Sequence, residues 1–380
     1  MEKKSFSDFN LSQEILKAVT SMGFKEATPI QIQTIDAIMN GEDIVAQAPT
    51  GTGKTCAFGI PLIEQIDSSS RNIQGMVLCP TRELVIQTSN ELTKLCKFKR
   101  GVKIVSIYGG QQISKQIYEL KKMPQIIVAT PGRLMDHMRR RTIRLNSLSH
   151  VILDEADEML NMGFREDINV ILKSVNKNRQ TVLFSATLSK DILAITHNYQ
   201  RNYKLIKVMN KNIPIPKIDQ FYIELNSNKK LDALTRLIDS NNYGLAIVFC
   251  NTKRMVDMLT KSLSLRGYSV DALHGDIKQL KRDKVMSKFK NGNINILVAT
   301  DVAARGIDVN NVEAVFNYDL PVDEEYYIHR IGRTGRANND GVSYTFIGSR
   351  EIYKLNNIMK YTKSKIKSMK IPNKINKIAL

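Results

Sequence analysis

Short apolar runs punctuate this chain from end to end, and stretches with helical spacing fill the intervals between them. In the first half the runs fall at 44–48, 76–79, 126–129, 151–153 and 181–184. Helix-period sets such as Leu92 with Leu95, and Ile168 with Ile171 and Leu172, lie in between. The second half repeats the pattern at 247–249, 270–273, 294–298, 315–316 and 342–346. Such alternation predicts an α/β chain with two doubly wound parallel-sheet domains, because parallel strands need crossover helices that cover both sheet faces. Residues 209–217 place Pro214 and Pro216 in polar surroundings and read as a short linker. The expected organisation is a first domain over 1–208, a second over 218–350, a cleft between them, and a basic helix or tail over 351–380.

The chemistry follows the strands. The carboxyl edge of an open α/β sheet is where ligands bind, and two segments there are diagnostic. After the run at 44–46 comes Ala48-Pro49-Thr50-Gly51-Thr52-Gly53-Lys54-Thr55. Gly51 and Gly53 allow backbone N–H groups to turn inward on phosphates, at the N-terminus of the following helix. Lys54 would reach the β- and γ-phosphates and Thr55 would ligate magnesium. Ala48 stands where the general phosphate-loop string has glycine. After the run at 151–153 comes Asp154-Glu155-Ala156-Asp157. Asp154 is the expected magnesium ligand, and Glu155 the group that orients and deprotonates an attacking water. Together the two segments predict binding and hydrolysis of a nucleoside triphosphate. Near the C-terminus, Arg330, Arg333 and Arg336 recur at three-residue spacing in His329-Arg330-Ile331-Gly332-Arg333-Thr334-Gly335-Arg336. From a second domain facing the first, Arg333 and Arg336 could act as arginine fingers on the γ-phosphate, an effect worth roughly 10³–10⁵ in rate.

Composition narrows the partners. A formal net charge of +19, shared by both halves, favours a polyanion. No apolar run is long enough to span a membrane, and Met1-Glu2-Lys3-Lys4 leads into polar sequence, so a cytoplasmic protein is expected. Cys56, Cys79, Cys96 and Cys250 are widely spaced without a CxxC pair and read as reduced core residues. From residue 352 onward there are eight lysines and no acid, interleaved with Ile, Met and Tyr. That stretch reads equally as a solvated amphipathic helix or frayed tail and as an RNA-contacting extension.

With these residues in hand, the chain resembles a DEAD-box RNA helicase from Phe6 to about Gly348. The resemblance implies two tandem RecA-like domains, an RNA-stimulated ATPase, ATP and Mg2+ as cofactors, and RNA as partner. Gly23-Phe24-Lys25-Glu26-Ala27-Thr28-Pro29-Ile30-Gln31 is similar to the family's Q motif, in which Gln31 would read adenine and Phe6 would stack on it. A Gln amide pairs with both the N6 donor and the N7 acceptor of adenine, and guanine offers acceptors at both places. By the same resemblance Ser185-Ala186-Thr187 couples the acids, Asp157 among them, to the closed state. Gly306 and Asp308 belong to the ribose side, and His329 makes an interdomain hydrogen bond.

Pro80-Thr81-Arg82-Glu83-Leu84, Gly109-Gly110 and Thr130-Pro131-Gly132-Arg133 resemble first-domain RNA contacts. Gln279, Arg282, Thr300 and Asp301 match those of the second. Such contacts reach phosphate and 2′-OH groups, so no sequence specificity is expected. Val85 replaces the more usual Ala after the PTREL string, a packing change. The remaining residues 351–380 are too few for a separate RNA-binding module, which implies a near-minimal core, bacterial in flavour by Asn161-Met162-Gly163-Phe164. An ATP-gated RNA clamp without strand separation is the alternative reading, and a DNA-translocating motor a third. The physiological RNA and the protein partners stay open.

Overall fold

The computed structural model describes residues 4–48, 51–208, 218–304, 309, 312–335 and 340–372. The chain divides into two compact units, Met1–Asn210 and Lys211–Leu380. The stretch expected as a linker lies outside the described residues.

In the first unit seven parallel strands form one sheet: β1 Ile44–Gln47, β2 Gly75–Leu78, β3 Ile104–Ile107, β4 Ile126–Ala129, β5 His150–Leu153, β6 Gln180–Ser185 and β7 Lys204–Lys207. Their spatial order is β3-β4-β2-β5-β6-β1-β7. Alternate residues of a strand supply opposite faces, so Ile44 and Ala46 enter one core and Val45 the other, while Val77 parts in the same way from Met76 and Leu78. Helices cover both faces. Several start on a capping side chain that accepts an otherwise unpaired N–H: Ser12 from Ile15 at 3.4 Å, Thr81 from Leu84 at 3.2 Å and Ser189 from Ile192 at 3.3 Å.

The second unit repeats the architecture with β8 Ile218–Glu224, β9 Ala246–Phe249, β10 Val270–Leu273, β11 Ile296–Ala299, β12 Ala314–Asn317, β13 Gly341–Ile347 and β14 Lys367–Ser368. Their order is β10-β11-β9-β12-β13-β8-β14. Residues 352–372 are integrated here. In the helix Ile352–Thr362, Leu355 and Ile358 are buried with Tyr327, Ile331 and Ile347, and β14 extends the sheet beyond β8. The helix is amphipathic: its apolar side chains close this corner of the core and its other face is exposed. The expected strand at 294–298 begins only at Ile296, and β3, β7, β8 and β14 add to those read from the sequence.

Candidate nucleotide site and nucleic-acid interface

Parallel register brings the nucleotide segments to one edge. β1, β6 and β5 are neighbours, with Gln47 opposite Ser185 and Leu153 opposite Leu183, and the Ala48 N–H donates to the Ser185 carbonyl at 3.0 Å. The glycine-rich loop, the acids and Ser185-Ala186-Thr187 therefore leave adjacent strand ends. The segments expected to contact RNA leave the other half of the same edge, after β2, β4 and β3. One sheet thus sets the two groups of expected residues on separate halves of its rim.

In the loop Gly51 and Gly53 take φ of 78° and 89°, a region closed to most side chains. At Gly53 a Cβ would also stand 2.6 Å from Gln31 Nε2. That amide donates to the Gly53 carbonyl at 3.0 Å, while Gln31 Oε1 accepts the Thr28 N–H at 2.8 Å. Gln31 thus caps its own helix, Pro29–Met39, and braces the loop with the same group. The N-terminal segment is pinned beside it, Ser5 bridging to Glu26 and the Ala27 N–H donating to the Lys4 carbonyl at 2.9 Å. Phe6 is only 4% exposed, its ring 6.2 Å from that of Phe9. It is a core side chain at this corner rather than an open platform. Thr52 is buried and Thr55 half-buried.

Beyond the loop, Lys54 Nζ and Asp154 Oδ1 are buried and lack a hydrogen-bond partner among the described residues. Burial pushes the Asp154 carboxyl up to about 7, with the Lys54 charge opposing and Glu155 adding to the rise. Buried polar groups are nearly always paired, so an orphaned cation and carboxyl at one edge mark a place built for something else. Glu155 takes φ 51° and ψ 51°, left-handed for a residue with a side chain, at the start of the helix Ala156–Asn161. Strain of this kind concentrates at functional positions. Asp157 Oδ2 accepts from the backbone N–H groups of Ala186 and Thr187, both at 2.9 Å, and from the Thr187 hydroxyl at 3.1 Å. Ser185 turns inward, donating its hydroxyl to the Thr187 carbonyl at 2.6 Å.

On the other half of the rim, several expected contacts also have structural duties. Thr81 caps the helix Arg82–Leu95, Pro80 is buried beside it, and Arg82 lies 4.6 Å from the Tyr108 ring centre. Thr130 occupies the N-cap of Pro131–Arg139, without a side-chain cap bond. Gly110 takes φ 82°. Its loop is braced from within, since Arg133 donates to the Gln111 carbonyl at 2.8 Å and to Gln116 Oε1 at 3.3 Å. Gln116 in turn donates to the Tyr108 carbonyl at 2.9 Å and meets His137 Nε2 at 3.1 Å. Neither Gln116 nor His137 carries a motif signal, and their part in this loop emerges only from the fold.

In the second unit, Arg330 is the residue that sequence reasoning passed over. At 1% exposure it donates to Asp301 from Nε at 2.6 Å and from Nη2 at 2.8 Å, to Asn251 Oδ1 at 2.8 Å and to the Asp319 carbonyl at 2.6 Å. Asp301, expected on the RNA side, has its carboxylate committed to this fork. Thr300 starts the short turn of helix after β11, and Arg282 Nη2 donates to the Ala303 carbonyl at 3.3 Å. Gln279 opens the helix Gln279–Lys290, its side chain outside the description. His329 lies on the helix Glu324–Ile331, and its carbonyl accepts from Arg333 Nε at 3.2 Å. Thr50, Gly306, Asp308 and Arg336 lie outside the described residues. Cys56, Cys79 and Cys250 are buried free thiols, and Cys96 is half-buried.

A fold of two such units, with a glycine-rich loop and an acid cluster at the ends of the strands that flank β6 in the first, defines a nucleotide-dependent motor core. Residues 28–195 match the DEAD/DEAH box helicase family and residues 229–338 match the helicase conserved C-terminal domain. The chain is 53% identical over 368 residues to the DEAD-box ATP-dependent RNA helicase CshA of Bacillus subtilis, covering 97% of this chain and 74% of that one. It is 52% identical over 368 residues to CshA of Geobacillus kaustophilus, covering 97% and 79%. Among solved structures it resembles Dbp5 of S. cerevisiae bound to RNA and ADP BeF3, with TM-score 0.86, 31% identity and 97% and 96% of the two chains covered. The chain belongs to the DEAD-box helicase family.

Proposed function

We propose that this chain is an ATP-dependent RNA helicase that couples ATP binding and hydrolysis to engagement of single-stranded RNA and local opening of short duplexes. The observation that carries the reading is the orphaned pair Lys54 Nζ and Asp154 Oδ1, at the edge where loop, acids and Ser185–Thr187 segment emerge together. Thr50, Gly51, Thr52, Gly53 and Lys54 hold the triphosphate, Gln31 reads the adenine with Phe6 beneath this corner, and Gly306 and Asp308 serve the ribose side. Asp154 and Thr55 are oxygen ligands suited to Mg2+. When bound, that ion would neutralise charge on the phosphates.

Glu155 orients the attacking water and accepts its proton, while Arg333 and Arg336 stabilise charge on the transferring phosphoryl group, with His329 as a further catalytic group. Asp157, Ser185 and Thr187 pass the state of the nucleotide on. Thr81, Arg82, Gly110, Thr130 and Arg133 hold RNA by its backbone, as do Gln279, Arg282 and Thr300 of the second unit, so binding is sequence-tolerant. Asp301 belongs to the same surface, its carboxylate held in place by Arg330. Domains over 1–208 and 218–350 work as partners: ATP and RNA together draw them into the active state, and hydrolysis resets it. The expected setting is the cytoplasm.

ATP turnover with and without single-stranded RNA, and release of a labelled strand from a short RNA duplex, test this reading. Stimulation by RNA and ATP-dependent release are expected, both abolished by Glu155→Gln. ATP-dependent retention on single strands with no release would make the chain a clamp. Equal stimulation by DNA would overturn the assignment to RNA.

A further inference from the structure

The helix Ile352–Thr362 buries Leu355 and Ile358 and turns a different chemistry outward. Tyr353, Lys354, Asn357, Lys360 and Tyr361 are all exposed, and their spacing places them on the face opposite the buried pair. The two rings stand out, Tyr353 at 59% and Tyr361 at 50% exposure. Eight residues along a helix separate them by about 12 Å. Lys363, Lys365 and Lys370 continue the exposed positive charge past the helix end, while Lys367 pairs with Asp219 at 3.7 Å, and no acid occurs between 352 and 372. A merely solvated face usually mixes acids with bases. Lysines interleaved with solvent-exposed aromatic rings are what a single strand of nucleic acid uses, phosphates on the cations and bases on the rings.

We infer that this outward face is an accessory contact for single-stranded RNA, with Tyr353 and Tyr361 as stacking platforms and Lys354 and Lys360 on the phosphates. The inference rests on the RNA-helicase reading above and adds a surface outside every motif that reading uses. The helix underneath is fixed before RNA arrives, anchored by its buried side and by Glu351, whose carboxylate accepts the Gly348 N–H at 2.8 Å. Stacking on tyrosine is indifferent to base identity, which matches a core that holds RNA by its backbone.

The test uses the whole chain and a labelled single-stranded oligouridine, read by fluorescence anisotropy and by RNA-stimulated ATP turnover. In the pair Tyr353→Ser with Tyr361→Ser, the half-saturating RNA concentration should rise roughly tenfold or more. Turnover at saturating RNA and the melting curve should not change. Tyr353→Phe with Tyr361→Phe should keep wild-type affinity, because the ring faces remain. Lys354→Gln with Lys360→Gln should lower the salt dependence of log K by about 1.4. Unchanged RNA affinity in both the serine and the glutamine pairs overturns the inference. So does unchanged RNA affinity with lost binding of a polyglutamate probe, which would give the face to an acidic protein. A wild-type chain without RNA stimulation would instead sink the helicase reading itself, before any variant is made.

Discussion

Arg330 and Asp301 form a two-pronged ion pair, Nε to Oδ1 at 2.6 Å and Nη2 to Oδ2 at 2.8 Å, beneath the carboxyl edge of the second sheet. The guanidinium also reaches Asn251 after β9 and the Asp319 carbonyl after β12, so one side chain ties together three strand ends. With Asn317 Oδ1 at 3.4 Å, all of its N–H groups are used. Arg330→Ala would leave Asp301 without its counter-charge in a largely closed site, a loss of about 3–5 kcal/mol. Arg330→Lys should rescue little, since an ammonium cannot reproduce the planar fork. Urea unfolding followed by circular dichroism checks both, and an unfolding midpoint within error of wild type for either variant would refute the hub.

Glu155 presents the opposite bargain between fold and function. Its left-handed backbone costs about 1–2 kcal/mol for a residue with a Cβ. Glu155→Gly should therefore be more stable than Glu155→Ala by about 1 kcal/mol, while both lose ATP hydrolysis. Thermal melts of the two variants side by side read the difference. Equal melting temperatures would mean that the conformation carries no strain.

How much of this was legible in the residues depended on where each one sits. Strands inside the sheets are apolar on both faces and stood out: Ile126–Ala129 and Ile296–Ala299 are buried at every position. The edge strand Lys204–Lys207 buries only Ile206, and Ile104–Ile107 alternates, so neither carries a run. The phosphate loop and the acids could be read because their chemistry dictates residue types at short spacing. Arg330 could not, since in sequence it is one of three equivalent arginines. Its distinction comes from Asn251, Asp301 and Asp319, which only the parallel register gathers. The ion pair of Asp301 was illegible for the same reason: its partner Arg330 is distant in the chain.

A pH effect follows from His137. It is fully buried, with Nδ1 2.8 Å from the Thr142 hydroxyl and Nε2 3.1 Å from Gln116 Oε1. Burial holds its pKa below the ordinary 6.5, and the Arg133 charge beside it pushes the same way. The unfolded chain therefore takes up this proton more readily than the folded one. The contribution to stability is whole above pH 6.5 and is lost as pH falls from there toward the folded pKa. His137→Gln should flatten that part of the stability profile. Urea titrations at a series of pH values check it, and an equal slope in the variant would assign the dependence elsewhere.

Asp157 supplies the sharpest test of communication within the first unit. One carboxylate oxygen gathers the N–H groups of Ala186 and Thr187 and the Thr187 hydroxyl, joining the exits of β5 and β6. Asp157→Ala would strand the Ala186 N–H, at about 1–3 kcal/mol if it stays buried, and leave the Thr187 N–H only its longer bond to Ser185 Oγ at 3.3 Å. The glycine-rich loop proposed to hold the triphosphate would keep its own brace, Gln31 to Gly53. ATP affinity, measured with a fluorescent analogue, should therefore change little, while release of a labelled RNA strand falls at least tenfold. Thr187→Val removes only the hydroxyl bond and keeps both N–H donors, so it should lose less. If Asp157→Ala weakened ATP binding as much as strand release, the carboxylate would belong to the nucleotide site itself and not to the joint between acid cluster and neighbouring strand.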